Sequence, residues 1–148
     1  MNKCERIMTR DPITCLPGDT LATAAESMRL ADVGALPVVD GKEEWLVGIV
    51  TDRDIAIRAT ARGLDTRRTR VSEVMTRDVT TCLPDDAIEK AVERMEERQV
   101  RRLPIVDDDG RLLGIIAQAD LATHVSDRSL VAEFLGEISR PVEAAVSR

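Results

Sequence analysis

Met8-Thr9-Arg10-Asp11 returns later in this chain as Met75-Thr76-Arg77-Asp78, and Thr14-Cys15-Leu16-Pro17 returns as Thr81-Cys82-Leu83-Pro84. Leu36-Pro37-Val38-Val39-Asp40 likewise returns as Leu103-Pro104-Ile105-Val106-Asp107. Gly48-Ile49-Val50 returns as Gly114-Ile115-Ile116, one position out of step because the second copy has a shorter turn. A chain that encodes one supersecondary unit twice is constrained to build two like modules. Such a tandem has a pseudo-twofold axis and offers two related clefts.

Each copy is only about 60 residues long, a size that buries a marginal core by itself. The two halves of this 148-residue chain are therefore expected to pack against each other. Trp45 and Phe134 are its only aromatic residues, so the core falls to Leu, Ile, Val, Ala and Met. A flat ligand would sit between aliphatic side chains.

The net charge of −6 opposes general nucleic-acid binding, which needs an excess of Lys and Arg. The Arg67, Arg68 and Arg70 cluster offers at most a local anion site. No apolar run reaches the ~20 residues of a membrane helix, and the N-terminus carries no signal-peptide pattern. A soluble cytoplasmic protein with no membrane partner is expected.

Cys4, Cys15 and Cys82 lack CxxC spacing and are odd in number, which argues against a disulfide framework. Cys15 and Cys82 are repeat mates, and Cys4 corresponds to Val71. This pattern fits small buried hydrophobes. A metal site joining them to His124, the only histidine, is the competing reading; no metal is expected.

The copies share an element pattern. A short helical turn ends in Met-Thr and leads to a strand, Ile13–Leu16 or Thr80–Leu83. Asp19 and Asp86 are placed to cap the next helix, and Asp86 with Glu89 reads as a capping-box variant. Leu21, Ala24, Ala25 and Met28 form an i, i+3, i+4, i+7 stripe, repeated by Ile88, Ala91, Val92 and Met95. Two apolar runs follow, Leu36–Val39 and Leu46–Val50 in the first copy, Leu103–Val106 and Leu112–Ile116 in the second. The polar turns between them read as hairpins. Pro37 and Pro104 fit strand starts. A second helix runs from about Asp52 to Arg62, with Gly63 as its cap, and its counterpart begins near Gln118.

Each copy is thus β-α-β-β-α, giving an α/β (α+β) fold class. The division expected is residues 1–63 for the first repeat, 64–70 for a polar linker and 71–125 for the second repeat. Residues 126–148 form a C-terminal helix and tail, with Leu130, Val131, Phe134, Leu135 and Ile138 on its apolar face and Pro141 ending it.

The sharpest local feature is Gly48-Ile49-Val50-Thr51-Asp52-Arg53-Asp54. Thr51 and Asp54 read as a capping box at a helix start. The same geometry suits a ligand, because free helix N–H groups attract an anion and a nearby carboxylate accepts ribose hydroxyls. The second copy reads Gly114-Ile115-Ile116-Ala117-Gln118-Ala119-Asp120, keeping the aspartate and losing the threonine. A cap needed only for structure is wanted equally in both copies, so the asymmetry points to two sites of unequal quality.

The Met-Thr pieces, the Leu-Pro-(Val/Ile)-Val-Asp strands and Gly-Ile-Val-Thr-x-x-Asp together resemble a tandem pair of CBS domains from about residue 3 to 125. The Thr51–Ile55 stretch with Arg62-Gly63-Leu64-Asp65 is similar to small stand-alone bacterial members of hypoxic or stress-response type. The resemblance implies an adenosine-containing ligand, such as AMP, ADP, ATP or S-adenosylmethionine, in clefts between the copies. It assigns Asp54 to the ribose, Thr51 to ribose or phosphate, and Ile49 to the cleft wall. Val79 and Thr80 would flank the base, and Val100, Arg101 and Arg102 would complete the site, the arginines meeting phosphate. The mirror site would use Ile13, Thr14, Val33, Gly34, Ala35 and Asp120, without the threonine or the arginine pair.

The resemblance further implies a homodimer and a non-catalytic regulatory module acting by shifting a balance between two packings. The alternative is a ligand-free interaction scaffold that regulates a separate partner. An enzyme is not expected, since no Ser/His/Asp set, paired metal ligands or Walker-type glycine loop is present.

Overall fold

The computed structural model describes residues 2–124. They divide into two compact units. One unit comprises residues 2–10, 80–109 and 113–124, and the other comprises 11–79 and 110–112. Each unit thus takes its opening segment from the other repeat's stretch of sequence. The expected C-terminal helix lies outside the described residues.

In the unit of residues 11–79, helix α2 (Leu21–Ala31) packs beside a hairpin of β2 (Ala35–Asp40) and β3 (Trp45–Thr51). Leu21, Ala24 and Met28 face the core, whereas Ala25 is exposed and does not extend the stripe. Val38, Val50, Val71 and Met75 join them in one apolar cluster. β3 runs into a helical stretch that changes pitch twice. It comprises α3 (Asp52–Asp54), a π-helical turn over Ile55–Ala59 and a 3-10 turn over Thr60–Arg62. Gly63 ends it at φ 74°, the left-handed cap expected from the sequence.

The other unit repeats this plan. It contains α1 (Cys4–Ile7), β1 (Thr9–Arg10), α4 (Ile88–Arg98), β4 (Arg102–Val106), β5 (Leu112–Ala117, from Leu113 on) and α5 (Gln118–His124). β5 lies between β1 and β4, with Thr9 opposite Ile115 and Arg10 opposite Gly114. Ile88, Ala91, Val92 and Met95 all point into its core, alongside Cys4, Met8, Cys82, Ile105 and Ile116. The β-α-β-β-α reading holds with changes in extent. Among the described residues no helix is long and apolar enough to cross a membrane.

Several local readings are corrected. The strands expected at Ile13–Leu16 and Thr80–Leu83 contract to single bridging residues, Cys15 against Val38 and Cys82 against Ile105. Cys15 donates to the Pro37 carbonyl and accepts from Val39 N–H, and Cys82 does the same with Pro104 and Val106. Those bonds also explain why Pro37 and Pro104 stand inside β2 and β4 rather than at their starts. Each proline's nitrogen faces the side of its own carbonyl, where only the bridging cysteine pairs, so the hairpin ladder loses no donor.

Asp19 and Asp86 do not cap the helices. Asp19 Oδ2 accepts from Leu16 N–H and Asp86 Oδ2 from Leu83 N–H, closing the turns before them. Thr20, one residue nearer, is the N-cap of α2 and accepts from Thr23 N–H. Ala87 stands at that position for α4 and has no side chain to offer, so the Asp86–Glu89 box is absent.

Residues 64–70 are mostly exposed, as expected of a polar linker, but two of their carbonyls are engaged. The Thr66 and Thr69 carbonyls accept from Ala22 and Leu21 N–H, and Thr69 is buried. With Thr20 serving Thr23, the first three donors of α2 are all satisfied. Asn2 does the same for Ile88 at the start of α4. Of the arginines, Arg70 donates to the Gly18 carbonyl at 2.8 Å and Arg68 lies 3.8 Å from Asp65.

Candidate functional site

Each unit holds a corner where a helix ends, a strand begins and a second helix starts beside them. In the unit of residues 11–79, α2 ends at Asp32, whose φ of 55° is left-handed. Val33 N–H then bonds back to the Met28 carbonyl, a Schellman closure that turns the chain into Gly34 and Ala35. Gly34 accepts from Asp52 N–H at 2.9 Å, and Ala35 pairs with Thr51 across the hairpin. This fastens the first turn of α3 to the corner.

The capping box is complete there. Thr51 Oγ1 accepts from Asp54 N–H at 3.0 Å, and Asp54 Oδ2 accepts from Thr51 N–H at 3.0 Å. Asp54 Oδ1 lies 3.6 Å from Arg58 Nε, with the aspartate side chain 14% exposed. Arg58 also donates to the Val74 carbonyl at 3.2 Å. The carboxylate therefore keeps one oxygen for the cap and turns the other toward a cation that is itself half-exposed. Arg58 was not among the residues expected from the sequence. Its i, i+4 spacing from Asp54 was the available signal.

Ile49, also in this unit, exchanges backbone hydrogen bonds with Thr76 at 2.9 Å in both directions. Val79 donates its N–H to the Arg77 carbonyl. Ile13 is half-exposed, two residues before the Cys15 bridge, and Thr14 is partly buried beside it. A shallow hollow in this unit is lined by Ala25, Met28, Val33, Asp52 and Ile55. Leu30 is 72% exposed and Ile57 53%.

The other unit builds the matching corner from weaker parts. Gln99 ends α4 at φ 53°, and Val100 N–H bonds back to Met95. Arg101 accepts from Gln118 N–H through its carbonyl at 2.9 Å, as Gly34 does from Asp52. Asp120 Oδ2 accepts from Ala117 N–H at 2.8 Å, but Ala117 has no hydroxyl to return the bond. Val100 packs on the core, Arg101 is exposed and Arg102 partly buried. Thr80 is partly buried ahead of the Cys82 bridge.

Within each unit, then, the acidic helix start meets the corner of its own repeat. Asp54 is grouped with Gly34 and Ala35, and Asp120 with Arg101. The two sets expected from the sequence draw on both units, and their joint service of one ligand belongs to the functional proposal. Among the described residues no group of three or more His, Cys, Asp or Glu side chains is arranged to hold a metal.

Two stretches, residues 4–59 and 71–127, match the family described as CBS domain. CBS domain-containing protein YhcV of Bacillus subtilis is 40% identical over 139 residues, 94% of this chain and 96% of its own. Hypoxic response protein 1 of Mycobacterium tuberculosis is 37% identical over 134 residues, 90% of this chain and 92% of its own. A crystal structure of Hypoxic Response Protein I with two coordinated zinc ions superposes with a TM-score of 0.77 at 35% identity, covering 84% of this chain and 99% of that one. The CBS domain pair of protein MJ0100, in complex with 5-methylthioadenosine and S-adenosyl-L-methionine, superposes with a TM-score of 0.75 at 29% identity, covering 83% and 94%.

Proposed function

Because the chain belongs to the CBS-domain family as a tandem pair, we propose that it is a non-catalytic regulatory module whose Thr51–Asp54 corner binds an adenosine-containing ligand. The observation that carries this reading is the division of labour at Asp54. Its Oδ2 is held by the cap, so the carboxylate is fixed in place, while Oδ1 is directed away from the cap toward the partly exposed Arg58. A fixed carboxylate oxygen at a helix start suits a vicinal diol, and the nearby N–H groups and Arg58 suit phosphate or another anion. Support comes also from the MJ0100 pair, a relative whose structure holds two adenosine derivatives.

AMP, ADP, ATP and S-adenosylmethionine are the ligands proposed. Ile49 supplies apolar wall, and Val79, Thr80, Val100, Arg101 and Arg102 complete the set, as the family resemblance implies. The corner with Asp120 and without a threonine, together with Ile13, Thr14, Val33, Gly34 and Ala35, is a second, weaker site that lacks the groups for phosphate, so one good site is expected. The protein acts as a homodimer in the cytoplasm. Leu30 and Ile57 are large apolar side chains left exposed on one unit and are available to a second copy.

Calorimetric titration of AMP, ADP, ATP, S-adenosylmethionine and NADH tests the reading. Saturable binding of one ligand is expected, weakened at least tenfold by Asp54→Ala, since each hydrogen bond to a charged group contributes about 1.5–3 kcal/mol. Arg101→Ala should weaken phosphate-bearing ligands and spare adenosine. The exposed Leu30 and Ile57 also favour the scaffold alternative. Absence of binding by every ligand, with a folded and dimeric wild type, would select that alternative. Steady nucleotide hydrolysis abolished by Thr51→Ala would overturn the non-catalytic assignment.

A further inference from the structure

The three cysteines were read from the sequence as separate buried hydrophobes, yet two of them meet. Cys4, on the short helix α1, and Cys82, on the bridge to β4, lie in the same core cluster, 0% and 2% exposed. Their thiols lie close enough to perturb each other, and Cys4 Sγ donates to the Ala87 carbonyl at 3.9 Å. Cys4 is brought there because residues 2–10 belong to the unit built on the second repeat. Cys4 N–H bonds to the Asp86 carbonyl, Glu5 N–H to Pro84, and Ile88 N–H to Asn2.

The first repeat supplies an internal comparison. Cys15 is the mate of Cys82, but Val71 occupies the place of Cys4 in its cluster. One fold therefore contains a facing dithiol in one unit and a lone thiol in the other.

We propose that Cys4 and Cys82 are a peroxide-oxidisable dithiol, which closes to a disulfide and fastens the N-terminal segment to the core of the second repeat. The two thiols are unequal, as such chemistry requires. The neighbouring Cys4 thiol lowers the Cys82 thiol, and Arg94 and Lys90 lower it further, against burial and the Asp86 carboxylate. The same contact and burial push Cys4 far up. Arg94 is held nearby by its hydrogen bond to the Thr81 carbonyl. Cys82 is thus the more acidic thiol of the pair and Cys4 the less acidic. Lone Cys15 is pushed by burial up to about 12.

The chemistry balances with hydrogen peroxide as the oxidant. Cys82 thiolate attacks one peroxide oxygen, the O–O bond breaks, and hydroxide leaves to take a proton and form water. Cys82 becomes a sulfenic acid. Cys4 sulfur then attacks Cys82 sulfur, the S–S bond forms, the S–O bond breaks, and a second water carries away the oxygen with the Cys4 proton. The two thiols lose two electrons and the peroxide gains them. A dithiol reductant reverses the step. Access comes through α1, since a four-residue helix opens more readily than the core it covers. Cys82 reacts while the segment is open, when Arg94 and Lys90 still face it and burial by α1 is relieved, and redocking brings Cys4 onto it.

The test treats the full chain with hydrogen peroxide, blocks remaining thiols under denaturing conditions and maps peptides by mass spectrometry. The expected product is a Cys4–Cys82 linked peptide, lighter by two hydrogens and split by dithiothreitol, with Cys15 still alkylated. The oxidised protein should melt several degrees higher than the reduced one, because a cross-link closing a long loop restricts the unfolded chain. Cys4→Val places the first repeat's residue at this position. It should abolish the link and leave a Cys82 sulfenic acid trapped by dimedone. Cys4→Ser serves the same purpose if valine disturbs folding. Cys4 and Cys82 both remaining alkylated after peroxide, or linkage through Cys15 or between chains instead, would overturn the proposal.

Discussion

Gly48 lies so close beneath Met75 that a Cβ at this position would stand 2.7 Å from Met75 Sδ and 2.9 Å from the Thr76 carbonyl oxygen. Gly114 has the same relationship to Met8, at 2.7 Å, and to the Thr9 carbonyl oxygen, at 2.8 Å. Each Met-Thr pair thus docks on the glycine of the other repeat's strand, within one compact unit. The Met-Thr and Gly-Ile signatures, far apart in each copy, are two sides of one contact.

Gly48→Ala and Gly114→Ala should each destabilise the protein by about 1–3 kcal/mol, the range for forcing extra atoms into a packed interior. The backbone carbonyl cannot rotate away as a flexible side chain can. Gly18→Ala, where nothing lies within 4 Å of the added carbon, is the control. It should stay within about 0.5 kcal/mol of wild type in urea unfolding.

Thr51→Ala removes the hydroxyl that receives Asp54 N–H and should cost about 0.5–2 kcal/mol. The converse change, Ala117→Thr, completes the half-made box at Asp120 and should gain about 0.5 kcal/mol. Chemical denaturation of both variants reads the two signs. A loss on Ala117→Thr would show that the second corner has no room for the cap.

Gln99 holds a left-handed backbone conformation at the end of α4 without being glycine. Gln99→Gly should stabilise the protein by roughly 1 kcal/mol, the strain of a side chain in that region being about 1–2 kcal/mol. Loss of the Gln99 Nε2 bond to the Glu96 carbonyl offsets part of the gain. Thermal unfolding at fixed protein concentration measures the balance.

Burial pushes the Asp86 carboxyl up, but the Leu83 N–H and the Lys90 ammonium hold it below its usual value. A carboxyl lowered by folding contributes stability that is fully present above the unfolded value, about 3.9. That contribution is lost as pH falls through the lower folded value. Asp86→Asn should therefore lose stability at neutral pH and show a flatter decline as pH falls below about 4. A full acid-unfolding series on both proteins checks the slope; parallel curves would remove Asp86 from the account.

The Arg111 guanidinium lies 5.3 Å from the ring centroid of Trp45. Trp45 is the only tryptophan, so the emission reports the surroundings of this one ring. Arg111→Ala should shift the emission maximum and cost about 0.5–1 kcal/mol, the range for an exposed cation–π pair. An unchanged spectrum would mean that the contact does not persist in solution.

The sequence by itself determined the helices, the hairpins and the start of the candidate site. Ile88, Ala91, Val92 and Met95 recur at helical spacing because one helix face is buried, and that demand is visible locally. Thr51 and Asp54 were legible for the same reason, since a capping box spans four consecutive residues. Local pattern failed where a neighbour competed. Thr20 took the cap from Asp19, and the strands before Pro17 and Pro84 shrank to one bridging cysteine each.

Only the tertiary structure decided which segments share a core. Nothing in the spacing of residues 2–10 or 71–79 says that each completes the unit built on the other repeat. Such pairings join residues far apart in sequence, and the energy that selects them comes from close approach, as at Gly48 with Met75. The meeting of Cys4 with Cys82 follows from that choice and from no feature of either cysteine's surroundings in the chain.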